Sequence, residues 1–283
     1  MSYNGYTWDQ NVATIQELTG VGLPDIRTSY AVKSQQDGAV ATGYRYGARF
    51  IGLKGHLKSS SGTPAAYLAE RQELIYALRP TLIEGHTLTF TLITGDTRTI
   101  RYCRPTDGPF DFAGGEPSVN WNSYALIFRA DFPFFEGTET DSTQSVTVIS
   151  GGMAIPAVVP APMSGSSSSS PYGSYTNAGN APAYPVFTIT GPGTNFTVTN
   201  RTNGQEFVIS TTLDVGESIE IDTWNHTVTK NDGTNLLIDF EGDFITFDGG
   251  AAGATTSVAF SVDSGNTAAT LLRVVFKNSY LNL

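Results

Sequence analysis

The residues best suited to chemistry in this sequence are carboxylates. Asp239, Glu241, Asp243 and Asp248 fall within ten residues of one another. Two carboxylates facing each other across about 5 Å or about 6.5–9.5 Å would serve a glycoside hydrolase. Oxygen ligands at alternate positions suit a calcium ion. Asp239, Glu241 and Asp243 share a parity and would line one face of a strand, but Gly242 points to a turn among them. The order Asp-X-Glu-Gly-Asp also departs from an EF-hand loop. The plainer reading is a solvated loop or hairpin edge. Asp222 and Trp224-Asn225-His226 form a second polar-aromatic group. An indole and an imidazole beside amide donors hold a sugar by stacking and hydrogen bonds, which makes Trp224 and His226 candidate binding residues. A turn between two sandwich strands has the same composition with no ligand.

The other reactive side chains are isolated. Cys103 is the single cysteine, so neither an intrachain disulfide nor a thiolate zinc cluster can form. It lies in the strand-like run Thr99-Ile100-Arg101-Tyr102-Cys103 and reads as a small buried apolar residue. His56 and His86 have no second His or Cys at a ligand spacing. There is no Gly-X-Ser-X-Gly elbow, and Gly249-Gly250-Ala251-Ala252-Gly253 does not follow the strand-to-helix phosphate pattern. Asn195, Asn200 and Asn225 begin formal glycosylation acceptors, which a Thr-rich chain makes by chance. No residue is assigned a catalytic, cofactor-binding or metal role, no cofactor is expected, and the reading is that the chain is not an enzyme.

Composition narrows the class further. Of 283 residues, 40% are hydrophobic and only 15% charged, and Gly, Ser and Thr fill the gap. Thr, Val, Phe and Tyr favour strands. The net charge is −10, with −2 on residues 1–140 and −8 on residues 141–283. Such a surface repels phosphates and anionic lipid, which argues against nucleic-acid binding by a basic face and against membrane docking. The first residues lack a charged start with an apolar core, and no run reaches the about 18 apolar residues of a membrane helix. The expectation is a soluble protein made in a cytoplasm, with no membrane anchor.

The elements that must position these residues are mostly strands. Thr63 suits an N-cap and Pro64 a first helical position, and Pro80 stops the helix, placing one over 64–79 with Tyr67, Leu68, Leu74, Ile75 and Leu78 on one face. Residues 87–94 and 97–104 alternate around Gly95-Asp96, and 44–57 and 119–130 also read as strands, with Trp121, Tyr124, Leu126 and Phe128 as core bulk. After residue 180 no helical period appears. Strands are expected at 184–190, 195–200, 205–213, 217–222, 226–230, 235–240, 243–247, 256–262 and 270–277, with a hairpin turn at Asn231-Asp232-Gly233. That spacing suggests an antiparallel sandwich. Between them, the prolines of 156–162 and the run Ser166–Ser170 bury too little to fold. The expected organisation is a mainly β fold: an N-terminal β-sandwich-like domain with one packed helix (1–150), a Pro/Ser-rich linker or long loop (151–181), and a C-terminal antiparallel sandwich (182–283).

Two stretches resemble a known family. One is Ala130-Asp131-Phe132-Pro133-Phe134-Phe135-Glu136. The other runs from Asn177-Ala178-Gly179-Asn180-Ala181-Pro182 through Thr202-Asn203-Gly204-Gln205 to Val215-Gly216-Glu217-Ser218-Ile219-Glu220-Ile221-Asp222. In order and spacing they resemble the distal tail (Dit) proteins of siphophages. The resemblance implies a galectin-like second sandwich and a first domain that forms a hexameric ring. It implies a hub at the virion tail tip that joins the tail tube to the baseplate, receptor-binding or fibre components. Tail tube, tape measure and baseplate hub or fibre proteins would be its partners, and DNA would pass through the lumen without specific binding. The sugar signature of galectins is not visible, so the resemblance does not carry sugar binding. Phe132, Phe134 and Phe135 are then either core between strands or an interface, and core is favoured because an interface needs an exposed apolar patch. The rival is a carbohydrate-binding module with its sugar near Trp224 and His226. The third reading is a glycosidase using the 239–248 carboxylates.

Overall fold

A computed structural model of the chain describes residues 1–32, 34, 37–80, 85–106, 112–113, 120–145 and 172–283. It divides into two compact units, Met1–Thr138 with Tyr280–Leu283, and Glu139–Ser279. The chain is mainly β, with antiparallel sheets and one helix among the described residues. No helix among them is long and apolar enough to cross a membrane. The segment expected as a linker, 151–181, lies outside the described residues as far as 171. Beyond that, Tyr172–Asn177 is a strand.

In the first unit, Trp121–Ala130 pairs along its whole length with Arg49–Lys58, which pairs on its other edge with Ala13–Thr19. Thr97–Pro105 lies on the far side of Trp121–Ala130 and also pairs with His86–Thr91. The core follows from the period of two. Asn122, Tyr124, Leu126, Phe128 and Ala130 point inward, against Ile51, Leu53 and Leu57 of the neighbouring strand. Trp121 departs from expectation. It has odd parity where Tyr124, Leu126 and Phe128 have even, so it lies on the opposite face, 48% exposed and edge-on to His56. The expected strand at 87–94 ends at Thr91, and residues 92–96 form the loop, closed by the Leu92 N–H donating to Asp96 O at 2.8 Å.

The helix spans Pro64–Ala77. The Thr63 hydroxyl accepts from Ala66 N–H, and proline sits at the first position, as the sequence requires. Its buried face is Tyr67, Leu74, Ala77 and Leu78. Leu68 and Ile75 were expected on that face, but each sits one residue, or 100°, further around from Tyr67 and Leu74. Together with Tyr76 they make an outward stripe, with the Arg79 guanidinium 3.8 Å from the Tyr76 ring.

The second unit is a two-sheet sandwich. In one sheet Val186–Thr190 lies between Ser218–Asp222 and Leu271–Tyr280, and Thr227–Lys230 extends the edge. In the other the order is Tyr172–Asn177, Ala254–Ser264, Gly193–Asn200, Glu206–Leu213, Phe240–Gly242. Their inner faces share one core, with Phe187, Ile189, Ile221 and Val274 meeting Phe196, Val198, Phe207 and Val258. On the outward faces, directly opposed threonines pair by their hydroxyls, Thr194 with Thr212 and Thr176 with Thr255, each at 3.0 Å. The turn at Asn231-Asp232-Gly233 forms as expected, with Gly233 N–H donating to Lys230 O. The strand expected after it does not. The Asn235 carboxamide oxygen captures the Leu237 N–H at 2.9 Å and starts a short 3-10 turn, Leu237–Asp239. Nor does 243–247 form a strand: only a bridge, Phe247 to Ala183, remains of it.

Candidate interaction surfaces

Phe132, Phe134 and Phe135 are all buried in the first unit. Phe132 stands edge-on to Phe134 at 5.5 Å, and Phe134 edge-on to Tyr46 at 5.3 Å. Arg101 lies 4.3 Å over the Phe132 ring and pairs with Glu136 at 3.2 Å. These three rings expose no apolar patch of their own.

Beside them is Arg49, 1% exposed, with no carboxylate in ion-pair range among the described residues. Its guanidinium is satisfied by four backbone carbonyls. Nε donates to Pro133 O at 2.7 Å, one terminal nitrogen to Gly20 O and Gly22 O at 2.8 and 2.6 Å, and the other to Leu281 O at 2.8 Å. Its plane lies 4.4 Å over the Phe135 ring. Burial pushes its pKa down to about 10. Gly20 is required in this arrangement, because a Cβ there would stand 1.8 Å from Phe50 O and its φ is +77°.

The resemblance stretch at 177 has a physical reason too. Asn177 is fully buried in the second unit and acts as a four-way connector. Its Nδ2 donates to Ala181 O at 2.8 Å and Asp248 O at 3.2 Å, and its Oδ1 accepts from Gly179 N–H and Ser279 N–H, both at 3.1 Å. Gly179 passes so close to the last strand that a Cβ would stand 1.7 Å from Ser279 O.

Trp224 and His226 lie in the turn between Ser218–Asp222 and Thr227–Lys230, which Asp222 closes by accepting from the backbone N–H groups of Trp224 and Asn225. Their rings take different partners. Half-buried Trp224 is edge-on to Tyr184 at 4.8 Å, whereas exposed His226 stacks on Phe244 at 4.3 Å, and Phe244 stacks on Phe240. His226 reaches this position with a φ of 55°. Of the carboxylates, Glu241, Asp243 and Asp248 are exposed and Asp239 is half-buried. Phe240–Gly242 runs as an edge strand beside Phe207–Ile209, so Asp239 and Asp243 flank that strand while Glu241 lies within it. No group of three metal-holding side chains occurs among the described residues. His56 Nδ1 meets Ser123 Oγ at 3.0 Å, His86 packs edge-on to Tyr3, and Cys103 is buried with its thiol pKa raised by burial.

One surface is absent from the sequence reading. Ile26–Val32 and Ala39–Tyr46 form a separate two-stranded sheet, a hairpin arm closed at its base by Gly47 N–H donating to Asp25 O at 2.7 Å. Buried Phe134 roots it through Tyr46. On one face stand Ile26, Thr28, Tyr30 and Val32, opposite Tyr46, Tyr44, Ala41 and Ala39. On the other are Arg27, Ser29 and Ala31, opposite Arg45, Gly43 and Val40. Ile26, Tyr30, Val32 and Tyr44 are 52%, 66%, 80% and 69% exposed. The signal that could have found the arm is the turn pair Asp37-Gly38 between two alternating runs.

Residues 178–278 match the family described as siphovirus-type tail component, C-terminal domain. Among solved structures, the Dit protein of phage SPP1, described as a paradigm of the hub adsorption apparatus of phages infecting Gram-positive bacteria, superposes with a TM-score of 0.64 at 13% identity. That match covers 98% of this chain and 97% of that one. A chain of the phage P2 baseplate in its activated conformation with Ca gives a TM-score of 0.43 at 13% identity, over 94% of this chain and 91% of that one. No curated protein sequence matches. Residues 178–278 therefore resemble the C-terminal domain of siphovirus-type tail components, on a chain whose fold is similar to that of the SPP1 Dit protein over 98% of its length.

Proposed function

We propose that this protein is a structural hub of a bacteriophage tail tip. Six copies form a ring that joins the tail tube to the baseplate, receptor-binding or fibre components, in the virion and after synthesis in the host cytoplasm. The observation that carries this reading is the conjunction of a family match over 178–278 with a Dit-like fold over 98% of the chain. Tail tube, tape measure and baseplate proteins are the partners such a hub meets. In this reading the work is done by interfaces, and the protein is not an enzyme. Six copies of a −10 chain carry −60, and where that charge faces the lumen, like-charge repulsion lets DNA pass without sticking.

Negative-stain microscopy of the purified chain, with antibody labelling of intact virions, tests the reading. The expected result is a six-membered ring with an open centre and label at the tail end. Single particles at high concentration, together with no label on virions, would overturn it. Sugar binding at Trp224 and His226 gains no support from ring positions committed to Tyr184 and Phe244.

A further inference from the structure

We propose that the outward face around Trp121, in the first unit, is a saccharide-binding site that takes a pyranose ring laid flat on the indole. This goes beyond the hub reading and does not depend on it, since a ring and a single chain would present the same site. Trp121, His56, Lys58, Ser59 and Asn120 line an open depression of about 440 Å³, within the range of small-ligand sites. Strand pairing brings the central residues together. Trp121 lies directly opposite Lys58, and Ser123 directly opposite His56, so all four project from one face of the two strands. The Trp121 indole is the most exposed of the three in the chain, at 48%, whereas Trp8 is buried and Trp224 half-buried.

The exposed ring is nevertheless held. His56 stands edge-on to it at 5.1 Å and 85°, and Ser123 Oγ meets the imidazole Nδ1 at 3.0 Å. That leaves Nε2 as a hydrogen-bonding atom with no partner among the described residues. Exposed Lys58 makes no ion pair among them either. Ser59 Oγ donates to Thr63 O at 2.8 Å, so its lone pairs remain able to accept. A sugar ring offers C–H groups on its face and hydroxyls around its rim. A steadied indole edged by donors and acceptors matches both. A protein partner calls for a continuous apolar patch instead. On this face the strand continues through Ser123 and Ala125, and its next large apolar side chain, Ile127, stands about 20 Å further on. Nucleobases also stack on indoles, but a −10 chain repels the phosphates that come with them.

The test applies the full-length chain to an array of bacterial and animal glycans and then measures its affinity for the best-bound oligosaccharide by titration calorimetry. Trp121→Ala should weaken that affinity about tenfold. His56→Ala should weaken it severalfold, and Ile127→Ala, on the same face of the strand, should bind as the wild type does. A wild type that binds no glycan overturns the proposal. So does binding that survives Trp121→Ala, or binding lost in Trp224→Ala instead, which would place the sugar in the second unit. A readout on the unaltered chain keeps binding apart from folding. N-bromosuccinimide oxidises exposed indoles, and oxidation of Trp121, followed by peptide mass spectrometry, should slow severalfold under saturating oligosaccharide. An unchanged oxidation rate overturns the proposal, while microscopy and virion labelling decide separately whether the chain is a tail hub.

Discussion

Replacing Arg49 by Met tests whether a buried cation can be held by geometry without a carboxylate. The substitution keeps the aliphatic stem and removes the guanidinium, leaving the carbonyls of Pro133, Gly20, Gly22 and Leu281 without their donor. The Pro133 contact is buried, and an orphaned group there costs about 2 kcal/mol. The other three are partly buried and recover water, at about 0.5 kcal/mol each, and the lost contact with the Phe135 ring adds about 0.5–1 kcal/mol. No longer burying a charge returns about 2 kcal/mol. The first unit should therefore lose about 2 kcal/mol, or about 6 °C in melting temperature. Arg49→Lys is the sharper variant. It keeps the buried charge but offers one nitrogen where a planar fork spans four acceptors, so it should be at least as destabilised as the Met form. Urea unfolding followed by tryptophan fluorescence gives the energies. Hydrogen exchange gives the location: the Leu283 amide, which donates to Val21 O at 3.2 Å beside the Gly20 and Gly22 carbonyls, should exchange at least tenfold faster. A neutral Arg49→Lys, or an unchanged Leu283 amide, would refute the fork argument.

Further outcomes follow from other buried groups. Asn177→Ala strips two backbone N–H groups and two carbonyls of their partner and should destabilise the second unit by about 3 kcal/mol in urea. Gly179→Ala should cost at least as much, since it must push back the Ser279 carbonyl. Burial holds the phenols of Tyr3, Tyr124 and Tyr175 up at about 12, so the fold favours their neutral forms. That stability is complete below about pH 10 and fades as pH climbs toward 12, and absorbance at 295 nm should show these phenols ionising only as circular dichroism reports unfolding. The Glu217 carboxyl is lowered, first by the Asp214 backbone N–H and then by Lys230. Its contribution is present above pH 4.5 and disappears as pH falls through the lowered value, so Glu217→Gln should flatten the melting temperature between pH 5 and 3.

How much of this was legible in the sequence depended on how local each cause was. The helix start was readable because Thr63 and Pro64 act on the turn next to them. Its buried face was read less well, because which of two adjacent stripes is covered depends on the sheet it meets. Strand parity was available for Trp121 and was outweighed by its size. The Asn231-Asp232-Gly233 turn was visible, but the fate of the chain after it was decided by one carboxamide, that of Asn235. Arg49 carries no sequence signal: its four acceptors come from 20, 22, 133 and 281, positions that only folding brings together. The arm was missed although Asp37-Gly38 announced it, because its apolar residues look like core until the exposure of each is known.

The paired threonines on the outward faces of the second unit bear on how this molecule responds to brine. The distance over which charges feel one another shrinks from about 30 Å in 0.01 M salt to about 3 Å in 1 M. A hydroxyl bonded to a hydroxyl does not notice. With only 15% of residues charged, the fold hangs on few contacts that dissolved ions can weaken. Ionic strength instead reaches the exposed ion pairs, such as Lys54 with Glu17 and Arg273 with Asp141. Salinity thus loosens those few pairs, while the threonine-laced sheets keep their form.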